Sequence, residues 1–223
     1  DSRWKTGGMT AGSFMLRRVI RLHPMVILSV VLGALAFIIQ GSVKWDGTPV
    51  ATSSVLLALL LGLFLIPTLP GLESEVRGNG EMFPLNGPSW SLFFEYIGSI
   101  LYALVLHRLP KKGLWAVVIL SAVGLSAAAL SNLSGAYHTG MGWTAADLGW
   151  LGGFLRLSFS FSAGLLLQRS FRPRKIRGAF WICSFMLLAV MACPYVGGPE
   201  ISVFNVVYDI VCTLFVFPLI VYL

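Results

Sequence analysis

Residues 13–24 read Ser13-Phe14-Met15-Leu16-Arg17-Arg18-Val19-Ile20-Arg21-Leu22-His23-Pro24 and place three arginines within five residues, directly before a long apolar run. In a helix, residues three and four apart lie on one side, so Arg17, Arg18 and Arg21 can share one face. Arginine stays charged and binds phosphate with a planar fork. Two interpretations are open: a positive-inside topology signal whose side chains reach lipid headgroups, or a binding site for an anionic, phosphate-bearing substrate.

The composition identifies the class of protein. The 223 residues are 57% hydrophobic and 11% charged, whereas a soluble domain carries about 25% charged residues. The chain is therefore expected to be an integral membrane protein with the lipid bilayer as a partner. Its net charge of +7 does not indicate nucleic-acid binding, because the basic residues lie in short clusters between apolar segments. Cys183, Cys193 and Cys212 lie in or beside apolar segments, without metal-ligand spacing.

Seven apolar segments have roughly the 17–25 residues that a bilayer crossing needs. The sequence thus predicts an all-α, polytopic transmembrane helix bundle forming a single domain over residues 1–223. We expect this domain to be truncated at both ends, because the chain starts at Asp1 and stops without a polar tail. The segments are 24–41, 51–69, 90–106, 113–131, 149–167, 178–194 and 203–223.

The basic residues give an expected orientation, since cytoplasmic loops carry an excess of Lys and Arg. If all seven segments crossed, the first basic cluster would lie opposite the other two. At least one segment in the first half is therefore predicted not to cross as a simple helix. The three clusters are Arg3, Lys5, Arg17, Arg18 and Arg21; Arg108, Lys111 and Lys112; and Arg169, Arg172, Arg174, Lys175 and Arg177.

The weakest candidate for a simple crossing is the segment introduced by residues 84–91, Pro-Leu-Asn-Gly-Pro-Ser-Trp-Ser. Broken backbone at membrane depth is tolerated only where it is buried in protein or lines a cavity. The same segment carries Glu95, and a carboxylate in a membrane helix costs about 2.5–3.5 kcal/mol on insertion scales. Glu95 either pairs with an arginine to join helices or acts as an acid, a base or a substrate-orienting group.

Two motifs in this order resemble the membrane acyltransferase-3 family. They are Phe14-x-x-Arg17-Arg18-x-x-Arg21-x-x-Pro24 and, two apolar segments later, Asn86-Gly87-Pro88-Ser89-Trp90-Ser91-Leu92-x-x-Glu95. A later stretch, Arg156…Phe161-x-x-Gly164 followed by a basic loop, is also similar to the family. The resemblance covers essentially the whole chain.

The resemblance implies a multispanning O-acyltransferase that transfers an acyl group, usually acetyl, from acyl-CoA on the cytoplasmic side to a hydroxyl of a carbohydrate or glycosylated acceptor. Acyl-CoA would be a co-substrate, with no bound cofactor or metal, and we expect the membrane to be the bacterial inner membrane. By resemblance, Arg18 and Arg21 match the family's paired arginines, and Arg17 belongs to the same acyl-CoA-binding cluster. Glu95 is assigned a supporting catalytic role. The substrate cavity is assigned to Asn86, Trp90, Ser91 and Arg156; Trp90 could equally be a plain interface anchor.

The family also carries a histidine, with an arginine or glutamate eleven residues before it, as the expected general base. No histidine of this chain matches it, so we expect the main base upstream of Asp1. His23 is predicted to pack locally and His107 to be solvated; His138 lies in an external loop that could meet an acceptor. Arg156 is expected to pair with Glu95 or Asp209 or to contact substrate, and Asp209 to be structural.

Two other functions remain possible from the sequence. A secondary transporter or flippase for an anionic or glycosylated substrate would also need broken segments and intramembrane charges. Transporters tend to show matching interruptions in two halves, whereas the one marked interruption here lies around residues 86–91. A structural membrane subunit would leave Glu95 and Arg156 as contacts between helices.

Overall fold

The computed structural model describes residues 8–133, 138–145, 148–171, 176–193 and 202–223. The chain divides into two compact units, unit 1 (residues 1–108 and 141–154) and unit 2 (residues 109–140 and 155–223). Several residues of the predicted basic clusters lie outside the described ranges, namely Arg3, Lys5, Arg172, Arg174 and Lys175.

The described residues are mainly helical and contain isolated β-bridges but no strands. Four helical stretches are long and apolar enough to cross a membrane: Ala11–Ile39, Lys111–Leu130, Gly149–Ser170 and Val203–Tyr222. The predicted all-α membrane bundle is thus confirmed. The α-helices are α1 (Ala11–Ile39), α2 (Thr52–Leu63), α3 (Ser89–Leu104), α4 (Lys111–Leu130), α5 (Gly149–Ser170), α6 (Ala179–Ala192), α7 (Ser202–Val211) and α8 (Phe217–Tyr222), with a 3₁₀ turn at Leu106–Arg108 and a π-helical turn at Cys212–Val216.

Helix α1 is the longest element of unit 1. It begins with a reciprocal cap, in which the Ser13 backbone N–H donates to Thr10 Oγ1 over 3.2 Å and the Thr10 N–H donates to Ser13 Oγ over 3.1 Å. Its packed side repeats every three or four residues, as helix geometry requires. The buried side chains on that side are Val26, Val30, Ala34 and Phe37.

Helix α2 is too short to cross the bilayer. Its 12 residues span about 18 Å, against a hydrocarbon thickness of about 30 Å. Val55 and Ala58 pack with Ala34 and Phe37 of α1. The chain then turns at Leu65, which has a φ of 53°. The prediction that a first-half segment fails to cross as a simple helix is confirmed, and the 51–69 segment is one that fails.

Residues 64–88 run irregularly along α1. Val76 joins the cluster around Phe37 near the end of α1, while the Leu85 carbonyl lies against Gly33 in the middle of the helix. A Cβ on Gly33 would lie 1.8 Å from the Leu85 oxygen, so only glycine permits this approach. The parts of this irregular segment at Ser74, Val76 and residues 82–85 are buried against protein, the condition under which membrane proteins tolerate irregular backbone.

Helix α3 starts beside the middle of α1 and returns toward its beginning. The Phe14 and Tyr102 rings lie 5.4 Å apart, so the first turn of α1 and the last turns of α3 are at the same end of unit 1. Because Arg108 closely follows α3, it lies toward the same end of unit 1 as Arg17, Arg18 and Arg21. The re-entrant path of residues 52–88 explains why, within unit 1, these basic residues lie toward one end and not at opposite ends.

Unit 2 contains α4, most of α5, α6 and the helical stretch from α7 to α8. Helix α4 packs against α7, and a Cβ on Gly124 of α4 would lie 2.8 Å from Leu155 of α5. Arg169 Nη1 donates to the Leu109 carbonyl over 2.6 Å. The Phe171 and Tyr222 rings lie 5.0 Å apart, so the end of α5 meets the end of α8.

Candidate functional site

An ion pair joins the two family-like motifs in unit 1. Arg18 Nη1 donates to Glu95 Oε1 over 3.0 Å, and this is the one salt bridge found among the described residues. The two side chains are 27% and 38% exposed, so a ligand can reach them. At this exposure an ion pair stabilises a fold by only about 0–1 kcal/mol. Glu95 does pair with an arginine, one of the two alternatives that the sequence left open. Its partner belongs to the cluster predicted to bind acyl-CoA, a role that stays a prediction.

The Arg18 guanidinium is held on two sides. Its Cζ lies 5.5 Å from the centroid of the Phe14 ring, a distance at which a cation is attracted to an aromatic face. On the α3 side, its Nη1 donates to Glu95 Oε1. Since Phe14 and Arg18 are one helical turn apart, the local sequence fixes the orientation of the guanidinium before any ligand binds.

Arg17 and Arg21 are exposed beside this pair. Helix geometry places the three arginines within an arc of about 100°, with Arg18 at its packed edge. The predicted common face is therefore present, although only Arg18 is directed into the α1–α3 contact. Three guanidinium groups in about one turn favour binding of an anion with several acceptor oxygens, such as a phosphate ester.

Asn86 and Ser91 form hydrogen bonds within the fold. Asn86 Nδ2 donates to Ser29 Oγ over 2.8 Å and to Ser89 Oγ over 2.6 Å, which uses both of its amide hydrogens. Ser91 is exposed and donates to the Pro88 carbonyl over 2.8 Å. Asn86 therefore fastens the start of α3 to α1, nine positions before Glu95. A role of either residue in substrate binding stays a prediction.

Trp90 belongs to an aromatic cluster within unit 1. Its ring lies 6.2 Å from that of Phe94, which in turn contacts Trp150 and Phe154 at 6.3 and 5.5 Å between centroids. A Cβ on Gly153 would lie 2.1 Å from the Phe94 ring, so the absence of a side chain there lets the cluster close. The assignment of Trp90 to a substrate cavity stays a prediction.

Tyr96 is a residue that the sequence analysis missed. Its ring meets His23 edge to face, with centroids 6.4 Å apart, and its hydroxyl is buried with no hydrogen-bond partner among the described residues. His23 thus packs locally as predicted. A tyrosine in an apolar helix is common at membrane interfaces, so the residue type alone did not single out Tyr96. Its one sequence signal was its position next to Glu95.

The other two histidines have local partners. His107 is half-buried, and its Nδ1 lies 2.9 Å from the Tyr102 carbonyl oxygen. The expectation of a solvated His107 was wrong because the 3₁₀ turn folds the side chain back onto α3. His138 Nδ1 accepts from the Gly140 N–H over 2.9 Å. No group of three or more His, Cys, Asp and Glu side chains able to hold a metal occurs among the described residues.

In unit 2, Arg156 lies within electrostatic reach of Asp209, one of its two predicted acidic partners. The Asp209 carboxylate accepts from the Thr139 N–H over 3.1 Å and lies 3.4 Å from the Thr139 hydroxyl. These contacts fit the structural role predicted for Asp209, since they hold the loop before α5. A contact of Arg156 with substrate stays a prediction.

Comparison with known proteins identifies the family. The acyltransferase-3 family model, described as an acyltransferase domain, matches residues 5–223. No curated protein and no solved structure gives a significant match. The family match covers nearly the whole chain and includes both early motifs. One charged residue of each motif, Arg18 and Glu95, bonds to the other. The chain belongs to the acyltransferase-3 family and is a membrane acyltransferase.

Proposed function

We propose that this acyltransferase moves an acetyl group from acetyl-CoA to a hydroxyl of a carbohydrate or glycosylated acceptor. The observation that carries the proposal is the Arg18–Glu95 ion pair, which lies beside two exposed arginines at one end of unit 1. Coenzyme A carries a pyrophosphate and a 3′-phosphate, and clustered guanidinium groups suit such anions. The choice of acetyl and of a carbohydrate acceptor rests on the family resemblance.

Arg17 and Arg21 bind the phosphates of the donor in this proposal. Their side chains are exposed, so phosphate oxygens can reach them without displacing a packed neighbour. Arg18 has five N–H donors, and the hydrogen bond to Glu95 comes from Nη1 alone. Its remaining N–H groups can donate to a phosphate oxygen while Glu95 holds the guanidinium in place.

Glu95 acts as a positioning residue. Because its carboxylate bonds to Arg18, it sets the direction of the guanidinium and thereby the depth at which the thioester is held. Correct placement of two reactants can contribute several kcal/mol to a reaction barrier. Loss of the carboxylate is expected to affect the rate of transfer more than the amount of folded protein.

The reaction is a direct acyl transfer. The acceptor hydroxyl oxygen attacks the thioester carbonyl, the new C–O bond forms, the C–S bond breaks, and the electron pair leaves with the coenzyme A thiolate. A general base takes the hydroxyl proton. That base is assigned to the family's histidine, which His23, His107 and His138 do not match, so the roles proposed for this chain concern binding and orientation of the donor.

We place the protein in a bacterial inner membrane with its basic clusters on the cytoplasmic side, where acetyl-CoA is available. The distribution of Lys and Arg along the chain supports this orientation. The contact between Phe14 and Tyr102 also supports it, because it puts the start of α1 and the last turns of α3 at one end of unit 1.

Labelled acetyl-CoA added to membranes containing the full-length protein tests the proposal. We expect Arg21→Ala to raise the KM for acetyl-CoA by about tenfold, or about 1.4 kcal/mol, with normal protein levels. Arg177→Ala is the matched control, because Arg177 is also exposed but belongs to unit 2. An unchanged KM for both Arg18→Ala and Arg21→Ala would remove the donor-binding assignment.

A further inference from the structure

A cavity that opens on the surface of unit 2 has an apolar lining with three polar side chains, and the proposed acyl transfer assigns it no role. It encloses about 220 Å³. Arg156, Ser160 and Gly164 line it from α5, four residues apart on one side of the helix, and Thr213 lines it from the π-helical turn. A cation inside a membrane-spanning helix is costly and by default marks a ligand or ion site.

The backbone opposite Arg156 is irregular. Thr213 lies in the π-helical turn Cys212–Val216, and Pro218 follows one turn later. Proline has no N–H to donate to the preceding turn, and π-helical turns within helices occur frequently at functional sites. On α5 itself, a Cβ on Gly164, eight residues after Arg156, would meet nothing within 4 Å, so the cavity is open at that end.

The lining has the electrostatic character of an anion site. It contains one guanidinium and the hydroxyls of Ser160 and Thr213, and no described carboxylate lines it. Asp209 is near enough to act on Arg156, but its carboxylate accepts from Thr139 and does not line the cavity. This neighbour offsets part of the charge of Arg156, and a guanidinium has enough N–H donors to serve both a carboxylate and a ligand.

A second, apolar cavity of about 380 Å³ adjoins the first. Phe159, Ala163, Leu167 and Pro218 form walls of both cavities. The apolar cavity continues toward Trp115 and Phe171, at the beginning of α4 and the end of α5. From Arg156 to Phe171 the helix rises about 22 Å, longer than one leaflet of a hydrocarbon core about 30 Å thick.

We propose that these two cavities bind a lipid phosphate, with the phosphate at Arg156, Ser160 and Thr213 and the hydrocarbon chain along Phe159 and Leu167 toward Trp115. The single positive charge at one end and the apolar walls at the other are complementary to an amphiphile of this kind. The lipid head then points toward the Gly149 end of α5, away from the Arg169 end.

Photo-crosslinking of the full-length protein in lipid nanodiscs tests the site. The probe is phosphatidic acid with a diazirine in one acyl chain, compared with diacylglycerol carrying the same chain. We expect labelling of residues 115–123 and 214–218 to be at least about fivefold stronger with the phosphate lipid, because only that head can bond to the guanidinium. Equal labelling by both lipids would overturn the proposal.

Three variants and competition by inorganic phosphate test the site further. Arg156→Gln should reduce labelling by phosphatidic acid to the level of the neutral lipid, whereas Arg177→Gln, which removes one charge elsewhere in unit 2, should not. Gly164→Leu places a side chain in open space and should block labelling without loss of folded protein. If Arg156→Gln leaves labelling unchanged, or inorganic phosphate abolishes it, the site does not bind a lipid phosphate. Labelling is read without acyl transfer, so it can fail or succeed independently of the proposed function.

Discussion

Arg18 and Glu95 are 77 positions apart in the chain, yet Nη1 of the first and Oε1 of the second lie 3.0 Å apart. We predict that Glu95→Gln lowers the transfer rate by at least about tenfold, because the neutral amide holds the guanidinium less firmly. The free energy of unfolding should fall by no more than about 1 kcal/mol. Steady-state kinetics and thermal unfolding in detergent measure the two effects.

Glu73→Gln is the matched control for that substitution, because Glu73 is an exposed carboxylate of the same unit. It should change neither the rate nor the stability. A loss of stability at Glu95→Gln large enough to account for the lost activity would show that the ion pair serves only to join α1 and α3.

The close approach of Gly33 to the Leu85 carbonyl predicts a stability effect. Gly33→Ala would place a methyl group 1.8 Å from that oxygen, and the irregular segment would have to move. Overpacking of this kind costs about 1–3 kcal/mol. Gly12→Ala in the same helix meets nothing within 4 Å and should be neutral or stabilise by up to about 1 kcal/mol. The melting temperature should fall for Gly33→Ala and stay unchanged or rise for Gly12→Ala; equal melting temperatures would contradict the close packing.

The two hydrogen bonds of Asn86 predict a coupling with Ser29. Asn86→Ala removes both bonds and should destabilise the protein by about 1–3 kcal/mol, since it leaves the hydroxyls of buried Ser89 and half-buried Ser29 without this donor. Ser29→Ala removes one of the same bonds, so the double variant should be less destabilised than the sum of the two. Ser91→Ala, on the exposed side of α3, is the control. Additive effects would mean that Asn86 and Ser29 act separately.

Hydropathy and charge predicted much of this fold. The apolar segments predicted the helical class. The expectation that all three basic clusters lie on one side of the membrane required a segment that does not cross. The position where α2 ends was harder to predict, because residues 51–69 are almost uniformly apolar. Pro67 and Pro70 were available signals, since a helix usually ends before proline. The turn at Leu65 depends also on how residues 64–88 pack against α1, which no local pattern encodes.

The candidate site was predicted in its residue types but not in its pairings. The cost of a membrane carboxylate indicated that Glu95 needs a partner, yet several arginines could have supplied it. The choice of Arg18 follows from α3 running back along α1, a tertiary relationship. The bonds from Asn86 to Ser29 and Ser89 likewise depend on the path of residues 64–88. The sequence therefore predicted Asn86 in the substrate cavity from its family motif, whereas in the structure its amide joins α1 to the start of α3.

Two tyrosines allow a matched test of a buried hydroxyl. The Tyr96 hydroxyl is buried without a partner among the described residues, whereas the Tyr208 hydroxyl donates to the Val190 carbonyl. Tyr96→Phe removes an unsatisfied group and should leave stability unchanged or raise it by up to about 1 kcal/mol, while Tyr208→Phe should lower it by about 0.5–1.5 kcal/mol, the net value of a hydrogen bond. Thermal unfolding of both variants decides the matter, because the chemical change is identical. A destabilised Tyr96→Phe would show that this hydroxyl does bond to a group in the folded protein. The edge-to-face contact with His23 would then be one part of a polar network beside Glu95.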